Sequence, residues 1–355
     1  MSEQTQTGGQ PFTPPPPLPT AHGGVGEALM DVVGVLARWR EATVAIVAVA
    51  LLLYFGLSHT STFVTQTNAV DLLSENMFPI AVIAIGEVFL LICGEIDLSV
   101  GFIYQFAPFV MYFAYLDYHV PAPLAVILGL LTGVAAGWIN GFITVTLGVP
   151  SFITTIGTGF VLNGLALVVS HAEPSPVPPG MVSSGKWLGT PGNPWQWFPF
   201  LWAVVLIALF HVVLVRTRWG LHTISTGGNQ LAAREAGINV GRIKYGNFML
   251  TGFVGAFVGL QAAFYTNNID PTAGGYPPMF YAVIAAVIGG TAMLGGSGTI
   301  LGAFLGAIVL ATLTDGFDII GVSSNPLPII FGGAILVAMI ANVQLARLRL
   351  AGRSL

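Results

Sequence analysis

Apolar runs of 16 to 27 residues, separated by polar or glycine-rich turns, recur along almost the whole of this 355-residue chain. About 20 such residues wound as a helix cross the hydrocarbon core of a bilayer. Only 7% of the residues are charged, against about a quarter in soluble domains, and mean hydropathy is +0.82. An ordinary soluble globule is excluded. The expected fold is all-α: a polytopic helical membrane protein. A net charge of −4 gives no reason to expect a nucleic-acid partner, and a single cysteine, Cys93, rules out an intrachain disulfide.

Ten hydrophobic segments can be drawn, near residues 42–59, 77–93, 98–116, 121–147, 152–170, 198–215, 246–264, 279–294, 299–314 and 327–343. Lys and Arg stay in cytoplasmic loops, so their positions orient the spans. Arg38 and Arg40 precede the first segment. Arg216, Arg218, Arg234, Arg242 and Lys244 fall between the sixth and seventh, and Arg347, Arg349 and Arg353 follow the tenth. Placing both termini in the cytoplasm puts ten of the eleven basic residues there and leaves only Lys186 outside.

Four regions follow. Residues 1–26 are rich in Pro and Gly with no apolar core, which predicts a disordered tail. Residues 27–41 carry Leu29, Val32, Val33 and Leu36 at helical spacing, which predicts an interfacial amphipathic helix. A transmembrane domain is expected over 42–343, with a long cytoplasmic loop at 216–245, and 344–355 forms a basic cytoplasmic tail.

The 45 glycines are patterned. Gly129, Gly133, Gly137 and Gly141 recur every four residues, as do Gly298, Gly302 and Gly306. Each series makes one smooth helix face on which a neighbouring backbone can approach closely. Static packing within one subunit is the commoner use of such a face; a sliding or dimer surface is the other. The short eighth and ninth segments, joined by glycine-rich 289–298, fit either full spans or re-entrant half-helices.

Catalytic chemistry is missing. GMVSSGKW (Gly180–Trp187) matches a nucleotide-binding P-loop until Trp187 replaces the Ser or Thr that would bind magnesium. The histidines His22, His59, His119, His171, His211 and His222 form no ligand-spaced pair with an acid or cysteine. Any energy source is expected to lie in another protein.

The polar residues inside apolar segments are therefore the candidates for function. Glu87 falls within the second segment, where a carboxylate costs on the order of 2.5–3.5 kcal/mol. A hydrogen-bonded structural role and a pathway role both fit it. Asn140, Asn163 and Gln261 also lie in spans, either lining a polar path or bonding neighbouring helices. GEIDLSVG (Gly94–Gly101) sits between two spans. Asp97 can accept from the free amides at the start of the next helix, an N-cap worth roughly 0.5–2 kcal/mol against Ala. Gly94 and Gly101 permit a sharp turn and close approach. Glu95 has no basic neighbour in sequence to explain it. In the cytoplasmic loop, NQLAAREAG predicts a short helix with Gly227 and Gly228 before it and Gly237 as its stop.

These residues resemble the permease subunits of ribose/xylose-type ABC sugar importers, the branched-chain group of binding-protein-dependent inner-membrane components. GEIDLSVG is similar to that family's Gly-Gly-Ile-Asp-Leu-Ser-Val-Gly signature, which here includes Gly94, Glu95, Asp97, Ser99 and Gly101. GGNQLAAREAGINVGRIK resembles its cytoplasmic coupling loop, and AAVIGGTAMLGGSGTILGAFLGA (Ala285–Ala307) its glycine-rich penultimate segment. The resemblance runs from about Glu27 to Val343. It implies a homodimeric permease in the bacterial inner membrane, clamped on cytoplasmic ABC ATPases and fed by an extracytoplasmic sugar-binding protein. By position, Gly228, Asn229, Ala232, Ala233, Glu235 and Gly237 would form the helix that docks on the ATPase. No cofactor is expected in this chain, since ATP and Mg would be held by the partner ATPase. Two departures stand out: Glu95 replaces the second signature glycine, and Phe280 and Ala282 stand where many relatives carry acids. Xylose, ribose, another aldose, a polyol or inositol all fit.

Two competing readings differ in class. An ion- or proton-coupled carrier would use Glu87 as its coupling carboxylate and need no coupling loop. A non-transporting membrane scaffold would need neither that loop nor polar residues within spans.

Overall fold

The structure, a computed structural model, describes residues 40–321 and 326–333 together with 336 and 340. The expected tail (1–26), nearly all of the interfacial helix (27–41) and the basic C-terminal tail (344–355) lie outside the described residues, as do Arg38, Arg347, Arg349 and Arg353.

Twelve helices are labelled here in chain order. They are α1 (Arg40–Ser58), α2 (Gln66–Ile92), α3 (Val100–Leu116), α4 (Ala122–Thr146), α5 (Ser151–Val169), α6 (Pro179–Gly185), α7 (Phe198–Arg216), α8 (Arg218–Gly228), α9 (Gln230–Glu235), α10 (Val240–Thr266), α11 (Tyr276–Ile288) and α12 (Ile300–Ile319). Among the described residues the extended structure amounts to one short antiparallel pair, Ser175–Pro176 with Asn268–Ile269. Among the described residues seven helices are long and apolar enough to cross a membrane: α1, α2, α4, α5, α7, α10 and α12; α3 and α11 are shorter. Nine of the ten hydrophobic segments are thus helices, and the tenth is described only in part, with 327–333 helical.

Some boundaries move. The second segment was expected to start at 77, but α2 begins at Gln66, where Thr65 caps the helix through its side chain. The added turns carry a buried amide, Asn68, whose Nδ2 donates to Asp315 Oδ2 of α12 at 3.1 Å and to the Phe63 carbonyl at 3.1 Å. Hydropathy does not register a polar face that another helix satisfies. A π-helical stretch, Asp71–Met77, precedes Pro79, which has no N–H to donate to the preceding turn. The eighth segment, expected to reach 294, ends at Ile288, because Gly290, Gly295 and Gly296 adopt positive φ in the turn that follows.

α2 and α10 form the centre. In their most apolar stretches 83% and 78% of the residues are buried, against 17% for α1 and 28% for α5 and α7. α4 lies along α10 and α3, α11 lies between α2 and α12, α1 packs on α12, α5 on α3 and α7 on α2.

Two turns double back into the unit. After α2 the chain reverses at Gly94 (φ +76°) and returns along the helix it has just left. The Asp97 N–H then reaches Glu87 Oε2 at 3.5 Å. After α10, Asn267 takes a left-handed conformation and residues 267–275 return in the same way. The Pro271 carbonyl accepts from Gln105 Nε2, and the Gly275 N–H donates to the Gly101 carbonyl at 2.9 Å. α3 and α11 therefore start side by side, near the middle of α10, where Gly255 faces Val100 and Gly259 faces the Tyr104 carbonyl. A Cβ at Gly101 would run into the Gly275 backbone. From this junction the two helices run to opposite ends of the unit: α3 toward the Ser175–Pro176 strand, and α11 toward the end of α2, where Gly296 N–H bonds the Ile92 carbonyl at 2.8 Å.

The two return turns share a sequence that the hydropathy reading passed over. Ile96-Asp97-Leu98-Ser99-Val100-Gly101 and Ile269-Asp270-Pro271-Thr272-Ala273-Gly274 both read Ile-Asp-x-Ser/Thr-x-Gly. Their local geometry matches as well. Asp97 Oδ1 accepts from Ser99 N (2.8 Å) and Ser99 Oγ (2.6 Å); Asp270 Oδ1 accepts from Thr272 N (2.7 Å) and Thr272 Oγ1 (2.7 Å). A long helix, a return turn and a shorter helix thus occur twice with opposite direction, the arrangement of an inverted repeat.

Both glycine series serve packing within the chain. Gly133 and Gly137 lie against the carbonyls of Gly252 and Phe248 on α10, and Gly306 lies against that of Ala285 on α11.

Candidate functional site

The GEIDLSVG turn is a knot of hydrogen bonds between four elements. Besides the two bonds from Ser99, Asp97 receives the Asn140 amide of α4, at 3.2 Å from Oδ2, and the same amide lies 2.8 Å from Ser99 Oγ. Leu98 N–H donates to Thr155 Oγ1 of α5 at 3.0 Å, and Thr155 Oγ1 in turn donates to the Ser151 carbonyl at 2.8 Å. Glu87, Asp97, Ser99, Asn140 and Thr155 are all fully buried. Asp97 was expected to cap the next helix, but α3 begins at Val100 with Ser99 at the N-cap position and no side-chain cap bond; Asp97 accepts from Ser99 N before the helix starts, and its partners make it the hub that ties the turn to α2 and α4. It lies beside Glu87, within the unit and short of the end of α2. Glu87 and Asn140, expected as pathway candidates, are sealed inside this knot.

Gln261 is also buried, at 4% exposure, with its amide facing Gly189. Asn163 is half-buried and accepts from Gln105 Nε2 at 3.0 Å. Gln105 was not singled out in the sequence, although an amide within FIYQFAPF is as unusual as the residues that were. Its position beside Pro108 bears on this: proline cannot donate to the Tyr104 carbonyl, which lies instead against Gly259 of α10.

Glu95 gains the partner that sequence neighbours could not supply. Lys244, at the start of α10, places Nζ 2.5 Å from Glu95 Oε1, with side chains 12% and 13% exposed. The pair joins the signature turn to the last residues of the 216–245 segment.

That segment folds as two short helices. Asn229 caps α9 by accepting from Ala232 N at 3.0 Å. Gly237 (φ +82°) ends it: Gly237 N–H bonds the Arg234 carbonyl at 2.9 Å and Ile238 N–H the Ala233 carbonyl at 3.0 Å, a Schellman closure. Gly228, Asn229, Ala232, Glu235 and Gly237 are exposed, whereas Ala233 is buried at 4% and faces the protein. Leu231, 68% exposed, is the large apolar side chain that α9 presents outward. Leu231 was not among the residues that the resemblance assigns to the docking helix.

Behind α9 the packing is close. Asn247 of α10 is fully buried, with its amide 3.3 Å from the Phe89 carbonyl, 3.2 Å from Cys93 Sγ and 3.4 Å from Thr223 Oγ1, and its carbonyl accepts from Trp219 Nε1 at 2.9 Å. One residue therefore links α8, α10 and the end of α2. Gly227 lies against the Ile92 carbonyl and Gly296, where any side chain would collide with backbone. α8, which leads directly into α9, is thus packed backbone to backbone against the end of α2 and the turn before α12. GMVSSGKW, the P-loop look-alike, forms α6 and a tight turn at the opposite end of α10, with Gly185 against Phe264.

The family described as "Branched-chain amino acid transport system / permease component" matches residues 68–340. The xylose/arabinose import permease protein XylH of Sulfolobus acidocaldarius is 33% identical over 90% of this chain and 88% of its own length. The ribose import permease protein RbsC of Escherichia coli K12 is 30% identical over 86% of this chain and 94% of its own. RbsC of Bacillus subtilis is 32% identical over 73% and 80%. No solved structure matches. With a multi-pass helical fold and matches that span the signature turn, the loop helices and the glycine-rich turn alike, this chain belongs to the family of branched-chain-type transport permease components.

Proposed function

We propose that this chain is the membrane-crossing subunit of an ABC importer for a monosaccharide, working as a homodimer in a bacterial inner membrane. In this reading both termini are cytoplasmic and the ten hydrophobic segments span, with α3 and α11 as the helices that start part-way across. A cytoplasmic ATPase holds ATP and Mg and grips α9; an extracytoplasmic binding protein delivers the sugar.

The observation that carries the reading is the build of α9: a capped, exposed helix that presents Leu231 outward while α8 behind it is locked to α2 and α10 through Asn247 and Gly227. A helix of six residues has little stability alone and suits a partner's groove. Relatives that carry the names of xylose/arabinose and ribose import permeases support the sugar class. Closure of the ATPase would press α9 inward, and the return turns beside α2 and α10 would shift with it. Nucleotide can move that balance only through differential affinity for the two states.

Uptake of labelled xylose, arabinose and ribose into vesicles tests this, with and without the ATPase. Transport should require both ATP and the ATPase. Uptake by the permease alone under a proton gradient would overturn the proposal in favour of an ion-coupled carrier.

A further inference from the structure

The return segment 267–275 creates a problem that only water or protein can solve. Its backbone is not helical, and it lies alongside α10 about one to three turns inside the helix end, as the Gln105–Pro271 and Gly101–Gly275 contacts require. Thr272 and Tyr276 are exposed on one side of it. Irregular backbone facing hydrocarbon would leave polar groups unsatisfied, so at this depth it occurs only where it lines an aqueous cavity or lies against protein. The face that carries Thr272 and Tyr276 is therefore not a lipid face.

Its chemistry is specific. Tyr276 opens α11 and Phe280 follows one turn later on the same side; their rings stack at 6.1 Å and 16°. Phe160 of α5 meets Tyr276 edge-on at 6.5 Å, and Phe102 of α3 supports it from behind at 5.1 Å. Phe160, Phe280 and Tyr276 are 57%, 46% and 43% exposed, while Phe102 is buried. Three helices thus contribute rings to one platform; four residues before Tyr276, the Thr272 hydroxyl donates to Asp270 Oδ1 at 2.7 Å. Aromatic walls with a few polar groups are the usual lining of small-molecule sites. A pyranose with equatorial hydroxyls has the complementary surface: apolar C–H faces above and below, hydroxyls around the rim.

We infer that Phe160, Tyr276 and Phe280, with Thr272 beside them, form the contact surface for an aldopyranose in transit, the rings taking its C–H face. This rests on the sugar-import reading and names where within the chain the sugar is held. The buried Glu87, Asn140 and Gln261 then take no part in contacting it. Phe280 becomes a specificity residue, because a ring there selects for the face of the sugar rather than for its hydroxyls.

The test uses the full complex with its ATPase and binding protein in proteoliposomes, with labelled xylose as the probe. Losing one ring contact is worth about 3- to 10-fold, so Phe280→Leu and Tyr276→Leu should each reduce the uptake rate by about that factor. Tyr276→Phe, which keeps the ring, should lie between these and wild type. A second measurement keeps the inference open to refutation if those variants assemble poorly. In a Cys93→Ser background, Thr272→Cys should react with a water-soluble thiol reagent, and xylose should slow the reaction. Wild-type-like uptake in both leucine variants overturns the inference, as does an unreactive Thr272→Cys. Loss of the permease dimer in step with loss of uptake also overturns it, since the platform would then be a contact between copies. If Thr272→Cys reacts but wild-type protein imports no sugar, the sugar reading fails while the water-lined face stands.

Discussion

Glu95 and Lys244 are 149 positions apart and meet at 2.5 Å in surroundings that are mostly protein. A charged hydrogen bond so placed is worth about 1.5–3 kcal/mol, less whatever the partly open side chains lose to solvent screening. Reversing one charge leaves two like charges in contact. Glu95→Lys and Lys244→Glu should each lower the thermal midpoint of the purified protein, and the double reversal should recover most of the loss. Equal midpoints for single and double variants would mean the pair contributes nothing. Asp97 illustrates a different limit of reading by sequence. Its acceptance of a nearby amide was legible from Asp-x-Ser before a helix; its bond to Asn140, 43 positions away, was not.

At the scale of elements, α9 was legible because its stop and start signals are local. Asn229 caps, Gly237 terminates, and no distant residue is needed for either. Asn229→Ala should destabilise α9 by about 1 kcal/mol, seen as faster amide exchange over 230–236, while Asn229→Asp should leave it nearly unchanged. The partner of the four-residue glycine series on α4 was not legible. Gly137 lies against the Phe248 backbone, whereas Gly157 on α5 has open space around its Cα. Gly137→Val should sharply reduce the yield of folded protein by forcing α4 away from α10, and Gly157→Ala should be tolerated, both measured by monodispersity in detergent. The true start of α2 was hidden for a related reason. Its first turns are polar, and the buried amide among them, Asn68, is satisfied by Asp315 of α12.

For the whole molecule, the arginines of the 216–245 loop and Lys244 cluster where α10 begins, and Lys186 sits near where it ends. In a Cys93→Ser background, Lys186→Cys should label in intact cells with a membrane-impermeant thiol reagent, and Ala232→Cys only after permeabilisation. The reverse pattern would invert the topology and remove α9 from any cytoplasmic partner. The sequence by itself determined the helical membrane-crossing class, most of the helix positions, the capped loop helix and the family resemblance. These depend on composition, on periodicity and on signals within a few residues of each other. Tertiary structure decided which face each apolar helix turns inward, because a helix that is hydrophobic all round carries no moment to orient it. It also decided that α3 and α11 begin part-way along α10, since the Gly101–Gly275 bond joins residues 174 positions apart. Glu87 and Asn140 were buried, and Tyr276 and Phe280 left open, by packing between distant segments, which local patterns do not encode.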